Sequence, residues 1–167
     1  MRLARNPHRG FSLVEAILAT ILTATLLVVA LNTVSAARWG QYNNAMASCG
    51  MALAQSLWAE IEPLDYEDPN IPGSLGLETG ESATVRATLN DVDDYQGLAL
   101  NPITDINGVT LPAYTNWQVN VTVQYADPQS PDSDSASDSG LKRITINAIY
   151  QNRTWATLTA LKCKVQS

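Results

Sequence analysis

The sequence predicts an α+β fold in which one long N-terminal α-helix packs on a small antiparallel β-sheet. Three observations lead to this prediction. The first forty residues hold an apolar block, no proline lies between that block and Pro63, and after Pro63 apolar and polar residues alternate. Apolar residues that recur every three or four positions indicate a helix, whereas strict alternation indicates strands.

The first half of the predicted helix has the length and composition of a membrane-spanning segment. Residues 11–31 are apolar residues, Ala, Ser and Thr, with Glu15 as the single charge. These 21 residues span about 30 Å as a helix, the thickness of a bilayer core. Three arginines, at positions 2, 5 and 9, precede the segment and predict that the N-terminus stays in the cytoplasm. Signal-peptide cleavage at the weak site VSAAR (34–38) is the alternative.

The second half of the helix is predicted to bury one face. Apolar residues recur at steps of three or four, namely Tyr42, Met46, Cys49, Leu53, Leu57, Ile61 and Leu64. The helix is expected to run without a break from Phe11 to Glu62, because Pro63 cannot continue it. Gly40 and Gly50 each weaken a helix interior by about 1 kcal/mol.

The sheet is predicted from four stretches of alternating residues, at 83–89, 117–125, 144–148 and 155–165. In the last stretch Leu161, Cys163 and Val165 are expected to point inward, with Lys162 and Lys164 outward.

The remaining segments are predicted to be loops, at 67–82, 90–114 and 126–140. The last of these is a low-complexity Ser/Asp segment that is too polar to pack.

Charge and composition argue against nucleic-acid binding and against catalysis. The chain carries a net charge of −6, and removing residues 1–10 leaves seven basic residues against sixteen acidic ones, a net −9. Such a domain repels phosphates. The only histidine is His8, and neither a CxxC pair nor a Gly-rich phosphate loop occurs. No enzyme activity, no cofactor and no nucleic-acid partner are expected.

The string RGFSLVEAILA (9–19) resembles the class III signal of type IV pilins and type II secretion pseudopilins. The resemblance implies that a prepilin peptidase cuts between Gly10 and Phe11 and methylates the new amino group of Phe11. It also implies storage in the bacterial inner membrane as a single-pass subunit, with the C-terminal domain in the periplasm. Its further partners are membrane lipid, other pilin or pseudopilin subunits and the inner-membrane assembly platform.

The same resemblance gives Glu15 a role in assembly. A carboxylate in lipid is unfavourable by about 2–3 kcal/mol or more, but it pairs well with the amino terminus of a neighbouring subunit in a low dielectric. The macrodipole of its own helix also favours an anion near the N-terminus. In the alternative interpretation Glu15 merely snorkels to the interface near the end of a signal anchor.

Two family features are missing or altered. Many pilins carry a Pro or Gly within the membrane helix, and residues 11–38 have neither. Major pilins often end in a loop bounded by two cysteines, which Cys49 and Cys163 do not form. In the pilin fold the sheet packs on the helix, so the resemblance allows a Cys49–Cys163 disulfide, with two buried free thiols as the alternative.

The segments NDVDDYQGL, PITDINGV and YTNWQVNVTVQY, within residues 90–125, resemble MSHA- and PilV-like minor pilins. Four aspartates there, Asp91, Asp93, Asp94 and Asp105, are weak candidates for a calcium site. A solvated acidic loop that caps its own turns is the favoured interpretation.

The sequence thus predicts three parts: a leader peptide (1–10), a transmembrane helix (11–37) and a globular pilin domain (38–167). The expected function is that of a minor pilin or pseudopilin in the assembly, initiation or tip modification of a type IV pilus or type II secretion pseudopilus. The alternative is a single-span, signal-anchored periplasmic binding domain that does not polymerise.

Overall fold

A computed structural model describes residues 12–165 of the chain. The chain divides into two compact units, with the boundary between Asn44 and Ala45. The first unit contributes the beginning of one long helix, and the second contributes the end of that helix and the whole sheet. The predicted α+β class is confirmed.

The helix, α1, runs without interruption over Leu13–Ile61 and has 49 residues. The prediction of one continuous helix is therefore confirmed within the described residues. At its end the Glu62 amide donates to the Trp58 carbonyl at 2.8 Å, and Pro63 follows. Within the second unit α1 buries one stripe, made of Gly50, Leu53, Ala54, Leu57 and Ile61.

The sheet has five antiparallel strands, which are β1 (Ala99–Leu100), β2 (Trp117–Asp127), β3 (Ser130–Asp134), β4 (Leu141–Tyr150) and β5 (Arg153–Cys163). Their spatial order is β1-β2-β4-β5, and β3 pairs with the end of β2. The buried stripe of α1 packs on the alternate residues that β2, β4 and β5 turn toward it, including Val119, Val121, Val123, Ile144, Ile146, Ala148 and Ala156.

At Gly50 the backbone of α1 lies close to the sheet. A Cβ atom at this position would lie 3.2 Å from the Ala156 Cβ and 3.2 Å from Cζ3 of Trp117. Such distances are shorter than ordinary van der Waals contact, so the absent side chain is what allows the helix to come this near. A Cβ at Gly40, in the first unit, would meet no atom within 4 Å.

The strand predicted at 83–89 is wrong. Residues Arg86–Thr88 form one turn of 3₁₀-helix instead. The alternating pattern required Arg86 to point to solvent, but its guanidinium is buried and donates to Glu60 at 2.8 and 3.1 Å and to the Thr104 hydroxyl at 3.1 Å. A bidentate ion pair to the helix therefore determines the local conformation.

The prediction of a loop over 126–140 is wrong in part, because β2 continues to Asp127 and Ser130–Asp134 forms β3. All five residues of β3 are exposed, so this strand forms through backbone pairing with β2 and not through apolar burial. The Arg143 guanidinium holds it in place by contacting Asp134 and the Pro131 carbonyl.

The predicted orientation of the last strand is also wrong. Ala156, Leu158 and Ala160 lie directly opposite Ala148, Ile146 and Ile144 of β4. Directly paired residues share one face of a sheet, so the even-numbered positions of β5 take the core face. Leu161 and Val165 are exposed, and Lys162 is half-buried and donates to the Glu62 carbonyl at 2.8 Å.

Candidate functional site

The part of α1 in the first unit exposes its apolar side chains. Every large apolar residue from Leu13 to Val34 leaves half or more of its side-chain surface uncovered. This helix is long and apolar enough to cross a membrane. An apolar surface of this extent on a single helix indicates that lipid or another protein covers it.

The hydroxyl groups of this segment are satisfied within the helix. Thr20, Thr25, Thr33 and Ser35 donate to carbonyl oxygens three or four residues earlier at 2.8–2.9 Å, and Thr23 donates in the same way to Ala19. Such back-bonding is what Ser and Thr do in a helix that has no water around it. Over residues 13–31 Glu15 is therefore the one polar side chain without such a hydrogen bond to its own helix.

Glu15 lies in the first turn of the described helix and is exposed. Among residues 12–165 its carboxylate has no hydrogen-bond or ion-pair partner. The turn itself is formed, since the Ala16 amide donates to the Ser12 carbonyl at 3.0 Å. The predicted cleavage site, Gly10 and Phe11, lies outside the described residues.

The two cysteines are free thiols. Cys49 is half-buried on the face of α1 that packs against the core, whereas Cys163 is exposed at the end of β5. The inward orientation expected for Cys163 is wrong. Cys163 and Leu161 lie on the face of β5 opposite to Ala156, Leu158 and Ala160, and both are exposed. In the structure the two thiols do not form the disulfide that the family resemblance allowed.

The acidic segment Asn90–Tyr95 folds back on its own side chains. Asp91 Oδ1 accepts the amides of Asp93 at 2.6 Å and Asp94 at 3.4 Å. Asp94 Oδ2 accepts the amides of Asn90 at 2.8 Å and Asp91 at 3.1 Å. These carboxylates cap a tight turn, as the favoured interpretation expected. That interpretation is wrong in describing the loop as solvated, because Asp91, Asp93 and Asp94 are at most 1% exposed.

Asp93 points away from this turn and pairs with Lys142 of β4. The two charged atoms are 2.6 Å apart, and the side chains are 1% and 0% exposed. The Lys142 ammonium also donates to the Tyr66 carbonyl and lies 3.7 Å from the centre of the Tyr66 ring. Burial raises the pKa of Asp93 to about 6, and the hydrogen bond from Lys142 opposes that rise.

Asp105 is not part of this cluster. Its Oδ1 accepts the amides of Asn107 at 3.0 Å and Val109 at 2.8 Å, so it caps a separate turn. The predicted set of calcium candidates is therefore wrong as a set, because Asp93 is neutralised by Lys142 and Asp105 lies in its own turn.

The structure brings Glu78 and Glu81 to Asp94 instead. One carboxylate oxygen of each residue lies within 4.8 Å of the other two. Neither glutamate was a candidate site residue, because both lie in the segment 67–82, which was predicted only as a loop. No spacing motif links them to Asp94, and only the path of the chain between Pro63 and Leu98 brings them together.

An open cleft of about 550 Å³ is lined by the loops that follow β1, by the start of β2 and by the turn between β4 and β5. Its walls are amide, hydroxyl, proline, leucine and tyrosine side chains, with no carboxylate, amine or thiol among the residues that line it. Such walls form hydrogen bonds but supply no acid, base or nucleophile.

These observations leave the exposed helix with its single carboxylate as the candidate functional site. The resemblance of residues 9–19 to the pilin signal stays a prediction from the sequence. Comparison with family models, with curated proteins and with solved structures finds no match to this chain.

Proposed function

We propose that this protein is a minor pilin or pseudopilin that is processed by a prepilin peptidase at Gly10–Phe11. It is held in the bacterial inner membrane by α1, with its globular unit in the periplasm, until it joins a type IV pilus or a type II secretion pseudopilus. The observation that carries the proposal is the exposed apolar start of α1 with Glu15 as its only charge over residues 12–31.

The exposed apolar surface of α1 supports a function in which this helix moves from lipid to the apolar interior of a filament. In the membrane, lipid covers the side chains between Leu13 and Val34, and in a filament the helices of neighbouring subunits cover them. The hydroxyl groups need no partner in either place, because they donate to the carbonyls of their own helix. Both states are therefore compatible with the same helix.

An apolar surface alone does not fix the position of one helix along a neighbouring helix, and Glu15 supplies a charge that does. Cleavage after Gly10 leaves a positive amine on Phe11, four residues before Glu15. Two unit charges roughly 4 Å apart attract by about 4 kcal/mol at an effective dielectric constant of about 20. A pair between Glu15 and the amine of an adjacent subunit stops the sliding of two helices at one position.

The test of this proposal is the N-terminus of the protein in membranes of its own bacterium, read by mass spectrometry. We expect the chain to begin at N-methyl-Phe11. A chain that begins at Met1, or one cut near Ala37, contradicts the proposal and leaves the single-span anchored domain or a secreted domain.

A second experiment examines assembly itself. Glu15→Gln removes the charge and keeps the shape, and Glu62→Gln, at the exposed residue that follows the end of the same helix, is the matched control. We expect Glu15→Gln to be processed normally but lost from the sheared filament fraction, while Glu62→Gln is retained. Equal recovery of both variants in filaments contradicts the assigned role of Glu15.

A further inference from the structure

Three carboxylates from two separate loops meet beside the turn Asn90–Tyr95. They belong to Glu78, Glu81 and Asp94, and one oxygen of each lies within 4.8 Å of the others. Oxygen ligands of one calcium ion lie 2.3–2.6 Å from the metal, so two of them are at most about 5 Å apart. The spacing of the three oxygens therefore fits the ligands of a single ion.

Three carboxylate oxygens of this cluster are buried without hydrogen-bond donors among residues 12–165. Asp94 is 1% exposed, and its Oδ1 has no hydrogen-bond partner among residues 12–165. Both carboxylate oxygens of Glu78 are also buried and have no hydrogen-bond partner among residues 12–165. Buried carboxylate oxygens without donors are strongly unfavourable unless a proton or a cation lies between them.

Two other carboxylates that face the core have a cation beside them, whereas no ion pair to Glu78, Glu81 or Asp94 forms within residues 12–165. Asp93 has Lys142 at 2.6 Å, and Glu60 has Arg86 at 2.8 Å. At Glu78, burial and then the charges of Asp91, Asp94 and Glu81 raise the pKa to about 7. Burial likewise raises the pKa of Asp94 to about 6.

The hydrogen bonds around the cluster hold the carboxylates in place without neutralising them. Asp94 Oδ2 accepts two backbone amides, which leaves Oδ1 available. Glu81 accepts the Glu78 amide at 2.8 Å and the Asn90 side-chain amide at 3.0 Å. The ligand positions are thus fixed in advance, as a metal site requires.

We propose that Glu78, Glu81 and Asp94 bind one divalent cation and that this cation is Ca²⁺. The ligands are hard oxygens without a nitrogen or sulfur donor, which disfavours zinc and copper. Calcium accepts bidentate carboxylates and irregular geometry, whereas Mg²⁺ demands a near-ideal octahedron. The bound ion would join the loop at 78–81 to the turn at 90–95 and so clamp the connection between α1 and the sheet.

The test is isothermal titration of the full-length chain in detergent with CaCl₂, after EDTA treatment and dialysis. MgCl₂ is titrated in parallel. We expect one Ca²⁺ site per chain, a higher thermal unfolding temperature in Ca²⁺ than in EDTA, and slower proteolysis of the segment 67–82. A wild-type chain that shows none of these at about 10 mM CaCl₂, or one that responds to Mg²⁺ alone, overturns the proposal.

Variants identify the ligands. Glu78→Gln, at a half-buried position, and Asp94→Asn each remove one proposed ligand charge, and Asp132→Asn removes an exposed aspartate of β3 as the matched control. We expect Glu78→Gln and Asp94→Asn to weaken Ca²⁺ binding at least about tenfold, with wild-type affinity in Asp132→Asn. Wild-type Ca²⁺ affinity in both ligand variants contradicts the proposed site. Circular dichroism of the EDTA-treated samples is the control that checks whether each variant is folded.

Discussion

The two units of this chain differ in whether their apolar side chains are exposed or buried. Between Leu13 and Asn44 the helix exposes its apolar residues and satisfies its hydroxyls internally. From Ala45 onward the chain buries its apolar residues and brings charges from distant segments together, as in the pair of Asp93 with Lys142. The first unit therefore needs an outside partner to cover it, whereas the second provides its own core.

The most severe way to break the second unit is to remove one member of its buried ion pair. Lys142→Met leaves the Asp93 carboxylate buried without its counter-ion, and we expect a loss of about 3–5 kcal/mol in the free energy of unfolding. Denaturation by urea measures it. Lys162→Met, in the next strand, removes a half-buried ammonium that forms no ion pair within residues 12–165 and donates to a backbone carbonyl. A loss as large as that of Lys142→Met would contradict the importance of the Asp93–Lys142 pair.

The close approach at Gly50 gives an intermediate effect. In Gly50→Val the new side chain collides with Ala156 and Trp117, and we expect unfolding to become easier by about 1–3 kcal/mol. Gly40→Val is the matched control, because a Cβ at that position meets nothing within 4 Å. Chemical denaturation followed by tryptophan fluorescence compares the two, and equal stabilities would contradict the packing described for Gly50.

In the first unit the largest effect is expected from the charge and not from the apolar surface. We expect Glu15→Gln to reduce the fraction of protein in filaments by at least about tenfold, equivalent to about 1.4 kcal/mol. Leu22→Ala, on the same exposed helix, removes apolar area without removing the charge and should reduce that fraction less. Quantitative immunoblotting of sheared filaments and of membranes provides the measurement.

The smallest effect concerns pH. The pKa values of Glu78, Asp93 and Asp94 are raised to about 7, 6 and 6 in the folded chain. The folded chain then binds more protons than the unfolded chain between about pH 4 and pH 7, so its stability falls as the pH rises through that range. The pKa of Asp138 is lowered instead, but its effect on the pH dependence of stability is confined to pH values near and below its ordinary pKa of 3.8.

We therefore expect the unfolding temperature in EDTA to be lower at about pH 7.5 than at about pH 5. Excess CaCl₂ should reduce this difference, because the ion stabilises the ionised carboxylates of Glu78 and Asp94. Differential scanning calorimetry at the two pH values measures both effects. A rise in stability from pH 5 to pH 7.5 in EDTA would contradict the raised pKa values.

The sequence was sufficient where a pattern is local. The helix Leu13–Ile61 could be predicted because no proline interrupts it and its apolar stripe recurs at helical steps. The strands β2 and β4 could be predicted because one face of each is buried, so that inward residues such as Val121 and Ile146 alternate with more polar ones. Glu15 could be singled out because a lone charge in an apolar segment is conspicuous.

The sequence was misleading where a partner lies far along the chain. The sequence pattern placed Arg86 on the polar face of a strand, because its hydrogen-bond acceptors, Glu60 and Thr104, are distant in sequence. The orientation of β5 was wrong because apolar residues occur on both of its faces, and only pairing with β4 decides between them. Glu78 and Glu81 could not be linked to Asp94, since their meeting depends on the folding of the intervening loops.

Under the proposed function, the internal hydrogen bonds of the Thr and Ser side chains would also affect the kinetics of assembly. A helix whose hydroxyl groups already donate to their own carbonyls has no interhelical hydrogen bonds from those groups to break when it moves along a neighbour. Its transfer out of the bilayer would then meet little friction along most of its length. The energy barrier to leaving the filament would be concentrated at the proposed pair between Glu15 and the amine of an adjacent subunit.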